Sequence, residues 1–413
     1  MKVVLAYSGG LDTSVIIRWL AENYSAEVVA LTIDLGAQKG LPAIREKALK
    51  VGAVKALVVD ARDIFVRHFV FPALRAGAIY EGEYPLATAL GRPLIAKLLV
   101  DVARQEGATA VAHGCTGKGN DQVRFDVAVG ALAPDLQVIA PMREWIVTRE
   151  EEMEYAAQRG IPVPTTTKNP YSTDENLWGR SIECGVLEDP WQEPPEDVYW
   201  WTKNPKDAPN DPAYVTIDFE QGIPVGLDGQ RMEGVALIER LHKLAGEHGV
   251  GRIDHLENRV VGIKSREIYE APAATVLHKA HQALEDMTMA KDAARFKATV
   301  SAAYADMIYS GLWFTSLHRD LAAYVASSQR NVTGTVRVKL LKGNCTVVGR
   351  QSPESLYQHS LATYEAGDLF DASASVGFIK IFGLPARVQA QVQELGKPVQ
   401  AVDILPPPME LKG

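Results

Sequence analysis

The chain reads as an α/β protein: an N-terminal doubly wound, mostly parallel sheet, then an α+β domain and a C-terminal helix. Three observations predict this. Short β-branched runs alternate with helical patterns as far as Thr165, and such alternation gives a parallel sheet covered on both faces. Beyond Thr165 the style changes to a stretch rich in Pro, Asn, Asp and Trp, followed by hairpin signals and long helical patterns. Of 413 residues, 47% are hydrophobic and 23% charged, enough apolar surface for a large core, which excludes general disorder.

In order, the pattern predicts a buried strand over 2–7, a helix over 11–23, a strand over 27–34, a helix over 43–51 and a strand over 56–60. A helix over 93–106 follows, then strands over 108–113 and 138–142. Residues 165–212 read as long loops in which Trp178, Trp191, Trp200 and Trp201 require burial. A strand over 214–219 leads to a hairpin turning at Asp228-Gly229. Helices are expected over 232–248 and, with a break, over 273–310; a second hairpin joins 332–345 to 347–351. From Leu384 an amphipathic stretch runs into a tail containing Leu405-Pro-Pro-Pro. There is no internal repeat. The predicted domains are 1–165, 166–383 and 384–413.

Composition also excludes classes of function. No stretch approaches 18 apolar residues, so no transmembrane helix is expected. Met1–Tyr7 runs straight into a Gly pair and reads as a first strand, not a signal peptide. Cys115, Cys184 and Cys345 lie far apart with no CxxC, so a zinc ribbon, a thioredoxin-like site and a disulfide framework lack support; a reducing, cytoplasmic setting fits. No metal ligand set is expected. A net charge of -8 exerts no overall pull on nucleic acid, so neither nucleic acid nor membrane is an expected partner.

The chemistry concentrates after the first strand. Tyr7-Ser8-Gly9-Gly10-Leu11-Asp12-Thr13-Ser14 opens a helix. Two glycines let backbone approach an anion, and the helix start points free N–H groups at it. Ser8, Thr13 and Ser14 add hydroxyls, and Asp12 suits the first turn, where it organises the loop or a metal. Neither a Walker A string nor G-x-G-x-x-G is present. The S-G-G-x-D-[ST]-[ST] string resembles the pyrophosphate loop of the N-type ATP pyrophosphatases, which cleave between the α and β phosphates and adenylate a substrate oxygen.

After the fourth strand, His113-Gly-Cys-Thr-Gly-Lys-Gly119 precedes Asn120, Asp121 and Arg124. A helix starting near Gly119 puts those three on one face beside a glycine-rich nest. An amide, a carboxylate and a guanidinium there suit a zwitterionic amino acid.

These segments, with Pro170–Ser181, Leu187-Glu-Asp-Pro-Trp191, 249–274 and 334–349, resemble argininosuccinate synthases from residue 1 to about 390. The resemblance implies an adenine nucleotide alpha hydrolase-like first domain and a synthetase domain. It implies that the ureido oxygen of citrulline attacks the α-phosphate of ATP, giving citrullyl-adenylate and pyrophosphate, and that the amine of aspartate then displaces AMP. Mg²⁺ travels with the ATP phosphates, and the family is tetrameric, so the helices after Ala273 and Val388, Val392 and Leu395 are candidates for subunit packing.

By the same likeness Ala6, Tyr7, Ser8, Gly9, Gly10, Leu11, Asp12, Thr13 and Ser14 hold ATP, with Ile33 near the base and Gly114 a further contact. Thr116, Asn120 and Asp121 fall at aspartate. Tyr84, Asn120, Arg124, Ser172, Ser181, Glu257 and Tyr269 fall at citrulline. Without the resemblance, Glu257 reads as a surface charge and Tyr84, Tyr269 and Ser172 as core or loop residues. Ser8, Asp12, Lys118 and Asp121 are the catalytic candidates: Lys118 to neutralise phosphate or carboxylate charge, Asp121 to orient the attacking amine. Asp121 is a poor base unless burial raises its pKa; His113, ending a strand, reads as a packed or capping residue rather than the base.

The chain departs from the family pattern at several places. Asp34-Leu35-Gly36-Ala37-Gln38-Lys39 interrupts the usual Asp-x-Gly-Gln run, Ile33 stands where Ala is usual, and Asp126 and Cys184 replace Glu and a small residue. Ala87-Thr88-Ala89 replaces Gly-Thr-Ser, so one citrulline hydroxyl contact is either absent or supplied by Thr88. Rival readings are another adenylating ligase of the superfamily or a nucleotide-binding protein without catalysis. A tRNA thiolase wants paired reactive cysteines and a basic surface, and a GMP synthetase-like ligase wants an amidotransferase partner.

Overall fold

Five runs with buried backbones form the N-terminal sheet of the computed structural model, which describes residues 1–36, 40–145, 149–162, 170–365 and 369–393. They are β1 (Lys2–Ala6), β2 (Glu27–Asp34), β3 (Lys55–Asp60), β4 (Ala110–Ala112) and β5 (Gln137–Ile139). All neighbours are parallel, in the order β3-β2-β1-β4-β5. Alternation along β1 sends Val3 and Leu5 into one core and Val4 into the other. The first core holds the helix Leu11–Tyr24, through Val15, Ile16 and Leu20. The second continues into the rest of Met1–Leu356, one of two compact units.

The predicted helix at 93–106 begins earlier, as Ala87–Glu106, with Pro93 inside it. Interior proline removes a backbone donor and costs about 3 kcal/mol. Here Ala87, Ala89, Leu90 and Leu94 are buried and hold both sides of the break in place.

The stretch read as loops contains a hairpin, β6 (Ser172–Asn176) and β7 (Gly179–Glu183). Its strands lack the apolar alternation that marks a half-buried strand, because their inner face meets a polar pocket. Of the four tryptophans, Trp178 is fully buried and donates Nε1–H to the Pro85 carbonyl at 2.8 Å. Trp191 is 95% exposed and Trp200 61%, so burial is not general. Trp200 instead covers the guanidinium of Arg180, 4.0 Å from its ring centre.

The strands β8 (Ala213–Glu220), β9 (Ile223–Leu227) and β10 (Gln230–Arg231) precede β11 (Arg252–Asn258) and β12 (Lys264–Glu270); β13 (Gly334–Leu341) and β14 (Asn344–Gln351) come last. They build two antiparallel sheets, β11-β12-β7-β6 and β10-β9-β8-β13-β14. The turns Asp228-Gly229 and Lys342-Gly343 have positive φ at both residues, as two-residue hairpins of right-handed twist require. The long helical region is broken as expected, into Pro272–Thr288 and Lys291–Tyr309. The helix Ser316–Ser328, capped by Thr315, was not foreshadowed; Val325 is its one buried residue, so its apolar period is weak.

The second unit, Tyr357–Gly413, carries the helices Ala374–Phe382 and Leu384–Val392. Only the latter is legible as an amphipathic stretch. Leu395 and the proline-rich tail lie outside the described residues, as do Ala37–Lys39. Among the described residues no helix is long and apolar enough to cross a membrane.

Glu270 ties the irregular segment at 198–202 to the antiparallel sheet. Fully buried, it pairs with Arg180 at 2.9 Å and accepts the backbone N–H groups of Trp200, Trp201 and Thr202 and the Thr202 hydroxyl. Removing Glu270 strands a buried guanidinium charge and four further donors, three N–H groups and a hydroxyl. Glu270→Ala should therefore lose about 3–5 kcal/mol, read as a lowered denaturant midpoint in urea titration; an unchanged midpoint would refute the assignment.

Candidate active site: two pockets with a shared wall

The strand order reverses between β1 and β4, so the loops leaving their carboxyl ends splay apart and open a crevice. Both loops end at a glycine N-cap, Gly10 for the helix Leu11–Tyr24 and Gly119 for Asn120–Leu132. Neither cap supplies a side-chain hydrogen bond, so first-turn N–H groups stay available to an anion. Gly9 has φ of +83°, a conformation a side chain would strain, and its carbonyl accepts Lys47 Nζ at 2.8 Å. Ser8 and Thr13 hydroxyls lie 3.1 Å apart at the mouth. Ser14 is buried, bonded to the Gly10 carbonyl at 2.6 Å and to the Tyr7 hydroxyl at 3.0 Å.

A pocket of about 430 Å³ lies over this loop. Ala6, Tyr7, Ser8, Gly10, Leu11, Asp12, Thr13, Ile33 and Gly114 line it. Gly9 and Ser14 do not; they shape the loop from behind.

A second pocket, of about 360 Å³, is floored by one face of the β11-β12-β7-β6 sheet. Side chains on a strand alternate, so residues two apart share a face. Ser172 and Asp174 on β6, Ser181 and Glu183 on β7, Glu257 on β11, and Glu267 and Tyr269 on β12 all line it. Tyr84, Thr88, Thr116, Asn120, Asp121 and Arg124 line it from the other side. The two pockets share Asp12, Arg92, Gly114, Cys115 and Asp174 as a common wall.

Arg92 reaches Asp121 at 2.7 Å and also bonds Asp174. Arg124 donates to Asp121 at 2.9 Å and to the Tyr309 carbonyl at 2.8 Å, while its buried Nη2 has no hydrogen-bond partner. Burial alone would raise the Asp121 carboxyl, but Arg92 and Arg124 outweigh it and hold it at about 2. That corrects any reading of Asp121 as a proton acceptor: burial brings the guanidinium pair with it. Glu257, also buried, accepts the hydroxyls of Tyr269, at 2.5 Å, and Tyr309. Tyr309 accepts Asn120 Nδ2 at 2.8 Å, and Asn120 Oδ1 accepts Val260 N–H. The chain closes so tightly behind Tyr309 that a Cβ on Gly311, at φ +76°, would lie 2.7 Å from Arg124 Cα.

His113 is a packed cap, as its strand-end position suggests. Its Nδ1 accepts Cys115 N–H at 3.3 Å, Nε2 lies 3.0 Å from Asp126, and its ring stacks on Phe125. Lys118 is exposed and lines neither pocket. Arg92, Asp174, Glu183, Arg259, Glu267 and Tyr309 were missed by sequence reasoning. Thr88 and Arg92 are four apart on one helix face, a signal hidden by starting that helix at Pro93. The alternation Ser265-x-Glu267-x-Tyr269 was the readable sign of a polar strand face.

Comparison with known proteins gives a consistent answer. Residues 2–162 match the arginosuccinate synthase N-terminal HUP domain and residues 171–389 the arginosuccinate synthase C-terminal domain. The chain is 60% identical over 394 residues to an argininosuccinate synthase of Dehalococcoides mccartyi, covering 95% of this chain and 97% of that one. It is 60% identical over 394 residues to that of Symbiobacterium thermophilum (95% and 98% covered), and 57% over 393 to that of Brevibacillus brevis (95% and 94%). The chain belongs to the argininosuccinate synthase family, carbon–nitrogen ligases that use ATP to join citrulline and aspartate in arginine biosynthesis.

Proposed function

We propose that the two pockets hold the two halves of an adenylation, with the bond-making atoms meeting at their common wall. The observation that carries this is the wall itself: Asp12, Arg92, Gly114, Cys115 and Asp174 face both cavities. ATP lies over the loop, its phosphates at Ser8, Gly10 and Thr13 and its base toward Ile33. Citrulline directs its α-carboxylate to the unpartnered Nη2 of Arg124 and its α-ammonium to Glu257, which leaves the ureido end for the wall. Tyr84, Thr88, Ser172, Ser181 and Tyr269 complete its seat, and Thr116, Asn120 and Asp121 take aspartate.

The ureido oxygen attacks the α-phosphorus, the bond to the β-phosphate breaks and pyrophosphate departs toward the helix start. The aspartate amine then adds to the activated carbon and AMP leaves. Positioning and charge stabilisation do the work. Arg92 offsets developing charge, and Asp121, held ionised, orients the amine rather than taking its proton. Mg²⁺ prefers phosphate oxygens, waters and one or two carboxylates; Asp12 and Asp174 both line this pocket, and Asp12, in the phosphate loop itself, is the one that would hold the ion. The ion would neutralise phosphate charge there. A division of roles near 165 suits this reading, with the phosphate loop before it and the sheet that floors the amino-acid pocket after it, both within the compact unit Met1–Leu356. A cytoplasmic setting suits three free cysteines.

A homotetramer is the assembly we favour. In the second unit Phe378, Ile381 and Phe382 are each well exposed on one short helix, a face that association would cover.

Pyrophosphate release should require ATP and citrulline, and argininosuccinate should appear in equal amount once aspartate is added. Release without citrulline, in a coupled pyrophosphate assay, would sink the adenylation order. Arg124→Ala should raise the citrulline KM by roughly 10- to 150-fold, the worth of a charged hydrogen bond. An unchanged KM would remove Arg124 from the carboxylate. For assembly, light scattering on the Phe378→Asp/Phe382→Asp chain should give a smaller particle than the parent; equal masses would discount this face.

A further inference from the structure

The far end of the amino-acid pocket holds more negative charge than its partners balance. Glu183, Glu257 and Glu267 all line it, and Arg259 is the guanidinium among them. One nitrogen of Arg259, Nη2, donates to both Glu183 and, at 2.9 Å, Glu267, so a single guanidinium is shared between two carboxyls. In the β11–β12 ladder Glu257 faces Ser265 and Glu267 faces His255. Glu257 and Glu267 are therefore diagonal neighbours on one face, a spacing long side chains bridge. The other groups near Glu267 supply no second cation. Ser265 donates to it at 3.2 Å, Tyr269 is committed to Glu257, Cys184 follows Glu183, and His255 turns to Glu81 at 3.3 Å. On the same pocket Arg124, whose Nη2 has no protein partner, suits a ligand carboxylate. An α-amino acid seated there brings an ammonium to the Glu257 side.

Resting on the citrulline reading above, we propose that Glu267 is a second carboxyl for the α-ammonium, protonated in the empty pocket and releasing that proton to solvent when the ammonium binds. Burial, with Glu183 and Glu257 beside it, pushes the Glu267 carboxyl up to about 9 against the pull of Arg259. The sign follows. Below that pH the empty pocket carries the proton, and the arriving cation favours the ionised form. Binding must expel a proton, so citrulline affinity rises with pH, by up to tenfold per unit.

The test is calorimetric titration of citrulline into the full chain saturated with α,β-methylene-ATP, near pH 7.5, in phosphate and in Tris. The dependence of heat on buffer ionisation should report about one proton released per citrulline, and none for Glu267→Gln. Citrulline binding without proton release, or equal release by both chains, overturns the role of Glu267 and leaves the citrulline site standing. No binding by the unaltered chain overturns the citrulline reading itself. Should Glu267→Gln fail to fold, the unaltered chain decides alone: log Kd should fall by up to one unit per pH unit between about 6.5 and 8.5, and a flat line overturns the proposal.

Discussion

A neutral urea oxygen attacks phosphorus only when an amino acid and a nucleotide share one wall, and that wall must tolerate anions from both sides. Arg92 meets this demand. It stands on the face of a long helix that both cavities touch, locked by Asp121 and Asp174. Two carboxylates around one guanidinium leave the buried cluster ion-paired before any ligand enters, so neither pocket has to form an unpaired charge on its own. The same pairing fixes Asp121 as a carboxylate and withdraws it from proton chemistry. One electrostatic arrangement thus underlies both the proposed meeting point of the ligands and the withdrawal of Asp121 from the role of base.

Much of this architecture was legible from the residues. The parallel sheet, the phosphate loop, the face at Asn120, Asp121 and Arg124, and the turn at Asp228-Gly229 follow from apolar period, glycine placement and turn chemistry, whereas the second hairpin, expected to turn at Thr346, turns at Lys342-Gly343. The failures share a cause. Sequence period detects a strand or helix by its apolar face, and a functional face is polar. β6 and β7 look like loop in the sequence because their inward residues line a polar pocket rather than a core. Arg92 disappeared because Pro93 looks like a helix start, although packing carries the helix through it. Tyr309 is brought to Glu257 by the end of the helix Lys291–Tyr309, a tertiary contact that no local pattern announces. Buried charges on β12 and in the loop after β11 look like solvated ones until tertiary neighbours are known.

The remaining question is how a chain of net charge -8 gathers ATP, aspartate and citrulline carboxylates at one place. Overall charge is irrelevant at the distances involved, because salt screens exposed charges beyond about 8–10 Å. Local sources must suffice, and two of them are backbone. The helices beginning at Leu11 and Asn120 start from the loops of adjacent strands, and both have glycine caps without side-chain partners. A serine or aspartate cap would satisfy those N–H groups internally and take the place of the ligand anion. Glycine leaves the donors and the partial positive charge of each helix open. In the proposed placement Arg92 and Arg124 add full positive charge at the wall and at the amino-acid carboxylate. At the opposite end of the pocket the balance reverses, with three glutamates against one arginine, so the ligand that fits is anionic near the nucleotide-side helices and cationic near the β11–β12 hairpin. That polarity suits the proposed seating, in which an amino acid lies along the pocket with its side chain toward the phosphate.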